Sequence, residues 1–169
     1  MNVHKVLKAR KDYPEHKIKK GETYYWWVFN FEPGRHFSKT PPRRSQLTKS
    51  SYLASLWDLE DRIADLKSEG KEDESGVIAL AEDMKSELDE IKEELEYLKG
   101  EQEERLEAMP DHFKETSPSG ELLQERIDEL DEWISALDTI DDDYDEESSE
   151  EDKKEFIERI ISEIQDVGI

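Results

Sequence analysis

Three histidines, His4, His16 and His36, fall in the first fifty residues, with Asp12 and Glu15 close to them in sequence. Imidazole and carboxylate together suit zinc and related ions. Successive histidines are separated by 11 and 19 residues, a spacing that matches no compact ligand motif, so surface histidines near strand ends are expected rather than a metal centre. Asp141, Asp143 and Asp145 match the first three ligands of an EF-hand loop, but the sixth position holds Glu146 instead of Gly and the twelfth Asp152 instead of Glu. A solvated acidic linker that attracts divalent cations loosely is the better expectation. The 46 Asp and Glu form pairs everywhere by chance. A catalytic pair needs a cleft that pulls its two pKa values apart, which exposed helical carboxylates lack. The seven glycines are scattered and make no phosphate loop, and His112 could join a Ser-His-Asp arrangement only from a loop between helices. With no cysteine there is no thiol nucleophile, disulfide or thiolate metal site. No enzyme activity, cofactor, metal or small-molecule substrate is expected.

What remains is the chemistry of binding. Residues 1–50 hold 12 Lys and Arg against 4 Asp and Glu, and residues 51–169 hold 12 against 42, so the net charge of -22 divides into a basic and an acidic part. The basic part also carries eight of the fifteen aromatic residues: Tyr13, Tyr24, Tyr25, Trp26, Trp27, Phe29, Phe31 and Phe37. Rings interleaved with Lys8, Arg10, Lys11, Lys17, Lys19, Lys20, Arg35 and Lys39 meet the needs of single-stranded nucleic-acid binding, in which bases stack on rings and cations follow phosphates. The candidate contacts are Lys19, Lys20, Tyr24, Trp26, Arg35, Lys39, Arg43 and Arg44. The competing reading makes the rings the core of a minimal β module and the Lys39–Ser45 segment an extended, proline-stiffened linker.

Lys19–Trp27 (KKGETYYWW) and Ser38–Thr48 (SKTPPRRSQLT) resemble a segment of uncharacterised small proteins from tailed-phage genomes. The resemblance covers about 45 residues. It implies a viral accessory protein and brings no assigned activity, site or partner.

The acidic part supports two readings. Laid side by side, residues 78–109 and 119–147 would carry one net charge per about 2.4 Å at the helical rise, against one per about 1.7 Å in duplex DNA. Such a rod could imitate nucleic acid in the groove of a host DNA-binding or defence protein, with Glu93, Glu94, Asp128, Glu129, Asp131 and Glu132 as the candidate surface. Alternatively the charge only keeps a slender scaffolding coiled coil in solution. No run of about 18 apolar residues exists for a membrane helix, and the first residues lack the apolar core of a signal peptide. A cytoplasmic location is expected, in the host cytoplasm if the protein is viral.

The elements that must position these residues are legible from pattern. Val3–Ala9 reads as a strand, Asp12–Glu15 and Lys20–Glu22 as turns, and Tyr24–Phe31 as the strongest strand of the chain. Its odd residues Tyr25, Trp27, Phe29 and Phe31 share one face; its even residues Tyr24, Trp26, Val28 and Asn30 share the other. After the turn at Glu32–Arg35, residues 35–39 return as a hairpin partner. One aromatic face of this sheet can pack on a helix; the other is expected to meet a partner.

Four amphipathic segments follow: about 51–68, capped by Thr48, Ser50 or Ser51; 75–109, capped by Ser75; one opening at Pro118; and one from Ser149. In the second, Ala81, Met84, Leu88, Ile91, Leu95 and Leu98 form a heptad seam, flanked by Lys85, Lys92 and Lys99 every seven residues. Gln102 and Arg105 make the seam polar, so its last turns are expected to project beyond the partner helix. The expected fold is α+β and mostly α: a basic aromatic β module over residues 1–48, then an acidic antiparallel helical hairpin or three- to four-helix bundle over 49–169. Leftover seam would permit a homodimer.

Overall fold

The computed structural model describes residues 2–30, 32–66, 74–142 and 149–169, with the backbone alone over 74–80. The fold is α+β and mostly helical, in two compact units, Met1–Asp58 and Leu59–Ile169. The division falls ten residues beyond the expected module end, inside the first helix, because the opening turns of that helix belong with the sheet.

In the first unit, β1 (His4–Val6), β2 (Tyr24–Trp27) and β3 (His36–Ser38) form an antiparallel sheet in the order β1-β2-β3. All three strands are shorter than expected. The ladder on β2 ends where its partners end, so the β propensity of residues 28–30 finds nothing to pair with. Gly34, at φ 121°, supplies the left-handed backbone that brings the chain back into β3. Directly paired residues share a face, which puts His4, Val6, Tyr24, Trp26 and Phe37 on one side and Lys5, Tyr25, Trp27, His36 and Ser38 on the other.

Both sides are occupied by the chain itself. Trp27 is buried to 3% exposure, and Ser45, Tyr52 and Leu56 of the same unit are buried as well. The Tyr24 side, expected to await a partner, is closed by residues 7–22. Ala9 and Ile18 of that segment form a small core with Tyr24, flanked by Val6, Tyr13, Trp26 and Phe37. The segment is fastened at both ends: Ala9 N–H donates to the Glu22 carbonyl and Gly21 N–H to the Ala9 carbonyl, both at 2.8 Å, while Tyr13 and Ile18 exchange backbone bonds at 2.8 and 3.2 Å. Between them lies a 3-10 turn, Pro14–His16, which Lys17 closes at φ 54°. The basic segment after β3 also departs from a simple spacer, because Arg44–Leu47 winds into a second 3-10 turn with Ser45 buried. Helix α1 (Ser51–Ala64) then starts at Ser50, whose hydroxyl accepts the Leu53 N–H at 3.3 Å.

In the second unit, α2 (Glu74–Glu107) is a 34-residue rod about 50 Å long. The short α3 (Asp111–Lys114), α4 (Pro118–Asp138) and α5 (Glu150–Asp166) follow, and α2 packs along both α4 and α5. Its six seam residues are at most 8% exposed, against Ile127, Leu130 and Leu137 of α4 and Phe156, Ile157, Ile160, Ile161 and Ile164 of α5, all buried. The α2 seam is therefore covered by helices of the same chain. Lys99 pairs with Asp131 at 2.5 Å, Lys92 with Asp138 at 3.1 Å and Lys85 with Asp142 at 3.2 Å. Partner numbers fall as lysine numbers rise, so α2 and α4 are antiparallel and the heptad lysines hold their register. Arg62, from the later part of α1, reaches Glu87 at 2.6 Å and Glu94 at 3.3 Å on α2.

Caps account for two helix starts. The Ser117 hydroxyl accepts the Gly120 N–H ahead of α4, with Pro118 at the first helical position; Ser149 and Asp152 make a reciprocal capping box ahead of α5. The cap expected from Ser75 lies outside the described side chains. Gln102 is a correction: it is fully buried rather than projecting. Given the Lys99–Asp131 register, α4 continues back to Pro118 and covers the turns of α2 beyond Lys99. Gly120 fits where α3 meets α4, because a Cβ there would collide with the Lys114 carbonyl and come within 2.6 Å of that of Phe113.

Candidate functional site

The structure separates the rings of the first unit from its cations. Tyr24 is 7% exposed, so its expected role as a stacking platform for bases is corrected: it is core. The neighbouring Tyr13 and then burial push its phenol above the usual tyrosine range. Trp26 is half-buried, and its indole already carries two contacts. His4 on β1 stacks on it with centroids 4.2 Å apart and 14° between planes, and Arg35, leading into β3, sits 4.5 Å from the ring centre. His4 belongs to β1 and Arg35 immediately precedes β3, the two strands that flank β2.

Of the expected cations, Arg35 therefore serves Trp26, Arg44 lies over Trp57 at 4.2 Å, and Lys39 pairs with Glu22 at 3.2 Å. Arg43 precedes the second 3-10 turn, with its backbone N–H bonded to Gln46 Oε1 at 3.0 Å. Lys19 and Lys20 stand with Lys8, Arg10, Lys11 and Lys17 on the 7–22 segment, and all six are exposed.

Two of the three carboxylates of that segment bond to its backbone, and the third, Glu15, is exposed. Asp12 Oδ1 accepts the Lys20 N–H at 2.6 Å, and Glu22 Oε2 accepts the Lys19 N–H at 2.7 Å. The Lys19 N–H, followed by the Lys39 ammonium, holds the Glu22 carboxyl below its ordinary range. Lys8, Arg10, Lys11 and Lys17 were only part of the general basic pattern in the sequence. The signal that singles them out is the pair of acids, Asp12 and Glu22, placed to satisfy the N–H groups of a tight turn.

The histidines do not converge. His4 stacks on Trp26 and His16 on Phe37, on one face of the sheet, whereas His36 stacks on Trp27 on the other. Among the described residues no group of three or more His, Asp or Glu is placed to hold a metal ion. Residues 143–148, and with them most of the EF-hand-like aspartates, lie outside the described residues.

In the second unit the six candidate carboxylates divide. Glu94 is engaged by Arg62, and Asp131 by Lys99, whose ammonium is raised above its ordinary pKa chiefly by that hydrogen bond. Glu93, Asp128, Glu129 and Glu132 are exposed, Asp128 accepting the Gln124 amide at 2.9 Å. Three of them continue a stripe with Glu121 and Glu125 along α4. This stripe lines an open groove of about 790 Å³, together with Leu106, Lys114 and Glu115. The i, i+4 spacing of Glu121, Glu125 and Glu129 was the available sequence signal. No helix of the described residues is long and apolar enough to cross a membrane.

What this arrangement offers chemically is two surfaces of opposite charge: one of ammonium and guanidinium donors suited to phosphate oxygens, one of carboxylates suited to basic groups. No protein-family model, curated protein or solved structure matches the chain.

Proposed function

We propose that the chain is a non-enzymatic interaction protein, a phage accessory protein in line with its resemblance, whose first unit contacts nucleic acid. The observation that supports this most is the set of six exposed cations on one fastened segment, on which the Asp12 and Glu22 carboxylates accept backbone N–H groups. A local excess of cations releases counterions from a nucleic acid on binding, which is the main source of sequence-independent affinity. Fluorescence anisotropy of labelled DNA and RNA strands with the full chain tests the reading. Binding near the micromolar range is expected at about 0.1 M salt, where the Debye length of about 10 Å screens the acidic helices. Absence of binding to both strands would remove it.

The α4 stripe favours a second reading, mimicry of nucleic acid toward a basic host protein, because its carboxylates stay outside the cross-helix pairs. In that case duplex DNA should displace the chain from an immobilised DNA-binding protein at constant ionic strength.

A further inference from the structure

We infer that the first unit grips the phosphate backbone alone, with Lys8, Arg10, Lys11, Lys17, Lys19 and Lys20 as the gripping residues and no base stacked on an aromatic ring; this rests on the nucleic-acid reading above. Single-strand binders gain about 1–3 kcal/mol per base from rings that are free to stack. Here the rings beside the cations are already in use. Tyr24 is buried, Tyr13 and Phe37 pack around it with centroids 5.4–6.0 Å apart, His16 stacks on Phe37 at 4.4 Å, and the half-buried Trp26 is stacked by His4 at 4.2 Å and approached by Arg35 at 4.5 Å. Lys11 lies 5.3 Å from the Tyr13 ring, so a cation occupies the approach to that ring as well.

The cations themselves are organised for a flexible polyanion. They flank two closures, the Ala9–Glu22–Gly21 bonds and the Tyr13–Ile18 bridge, which fix the backbone from which each side chain extends. Fixing that frame before binding lowers the ordering cost of contact. Residues 8–22 hold six Lys and Arg against three Asp and Glu, and two of those three acids are bonded to backbone N–H groups. The ligand class is therefore a chain of phosphodiesters, read without regard to base, and other dense polyphosphates should compete for it.

The deciding experiment compares, on the full chain, a labelled oligothymidylate with a base-free deoxyribose-phosphate strand of equal length. Affinities within about threefold are expected, with the plot of log K against log salt having similar slopes, near -4 if all six cations engage single strands at about -0.7 per phosphate. If oligothymidylate binds and the base-free strand binds more than tenfold more weakly, backbone-only gripping is wrong while nucleic-acid binding stands. If neither binds, both readings fall. The double variant Arg10→Glu with Lys11→Glu, checked for unchanged near-ultraviolet circular dichroism, should weaken both strands at least tenfold. An unchanged affinity would overturn the assignment of these residues; if that variant loses its fold, Lys8→Gln with Lys19→Gln gives the same test with a smaller expected loss.

Discussion

The two units treat their minority charge in the same way and so expose opposite surfaces. In the second unit the few cations are drawn into cross-helix pairs: Lys85, Lys92 and Lys99 onto acids on or just beyond α4, and Arg62 onto Glu87 and Glu94. In the first unit it is the few carboxylates that are drawn in: Asp12 and Glu22 onto backbone N–H groups, Glu22 onto Lys39 and Glu32 onto Lys49. In these contacts the scarcer sign is tied into the structure, while the cations of residues 8–20 and the α4 carboxylates Glu121, Glu125, Glu129 and Glu132 are exposed. A net charge read from composition conceals this, because it adds two surfaces that have separate architectures.

The units also differ in what their aromatic and aliphatic residues do, and the largest predicted effects test that. Leu95 on α2 and Leu130 on α4 are fully buried. Leu95→Ala or Leu130→Ala should cost about 2–5 kcal/mol, read by urea unfolding of the helical signal. Trp27→Ala should cost about 3–5 kcal/mol in the first unit, read by near-ultraviolet circular dichroism. If it costs under about 1 kcal/mol, the sheet has no core on that side and the comparison of the units fails. Gly120→Ala should destabilise by about 1–3 kcal/mol, because the α3 carbonyls must move away from the added methyl.

Smaller effects sharpen the charge comparison. Lys92→Ala should cost only about 0.2–1 kcal/mol, the worth of one exposed pair, and Lys92→Glu more, since it places like charges at the Asp138 contact. The two units should also lose stability at opposite ends of the pH scale. The Lys99 ammonium has a raised pKa, so its contribution is complete below the unfolded lysine value and fades as pH climbs through the folded one. The Glu22 carboxyl has a lowered pKa, so its contribution is complete above the unfolded glutamate value and fades as pH falls through the folded one. Lys99→Gln should flatten the alkaline limb of a stability profile, and Glu22→Gln the acid limb; a reversal of these assignments would contradict the pairing described.

Legibility in the sequence follows the range of the interaction. Helix positions were legible because caps and stripes are local: Ser50 and Ser149 sit where their helices begin, and the short connections between helices predict the antiparallel packing that the α2 lysines hold. The fate of Gln102 was not legible, because its burial depends on how far α4 reaches back, which only the Lys99–Asp131 register fixes. The covering of Tyr24 was hidden for a similar reason. Only Ala9, Tyr13 and Ile18 mark the inward side of residues 7–22, and three scattered residues among lysines show no periodicity. An eight-residue run with seven residues of high β propensity overstated β2, because strand length is set by partners as well as by propensity.

The central claim is that the majority charge of the first unit is a phosphate-binding surface, and the salt dependence of oligothymidylate binding by the full chain tests it most directly. The account predicts a log K that falls linearly with log salt above about 0.1 M, with a slope between about -3 and -4, and a slope nearer zero by at least 1 for Arg10→Glu with Lys11→Glu. Binding that is absent at about 0.1 M, or present with a slope near zero, would contradict it.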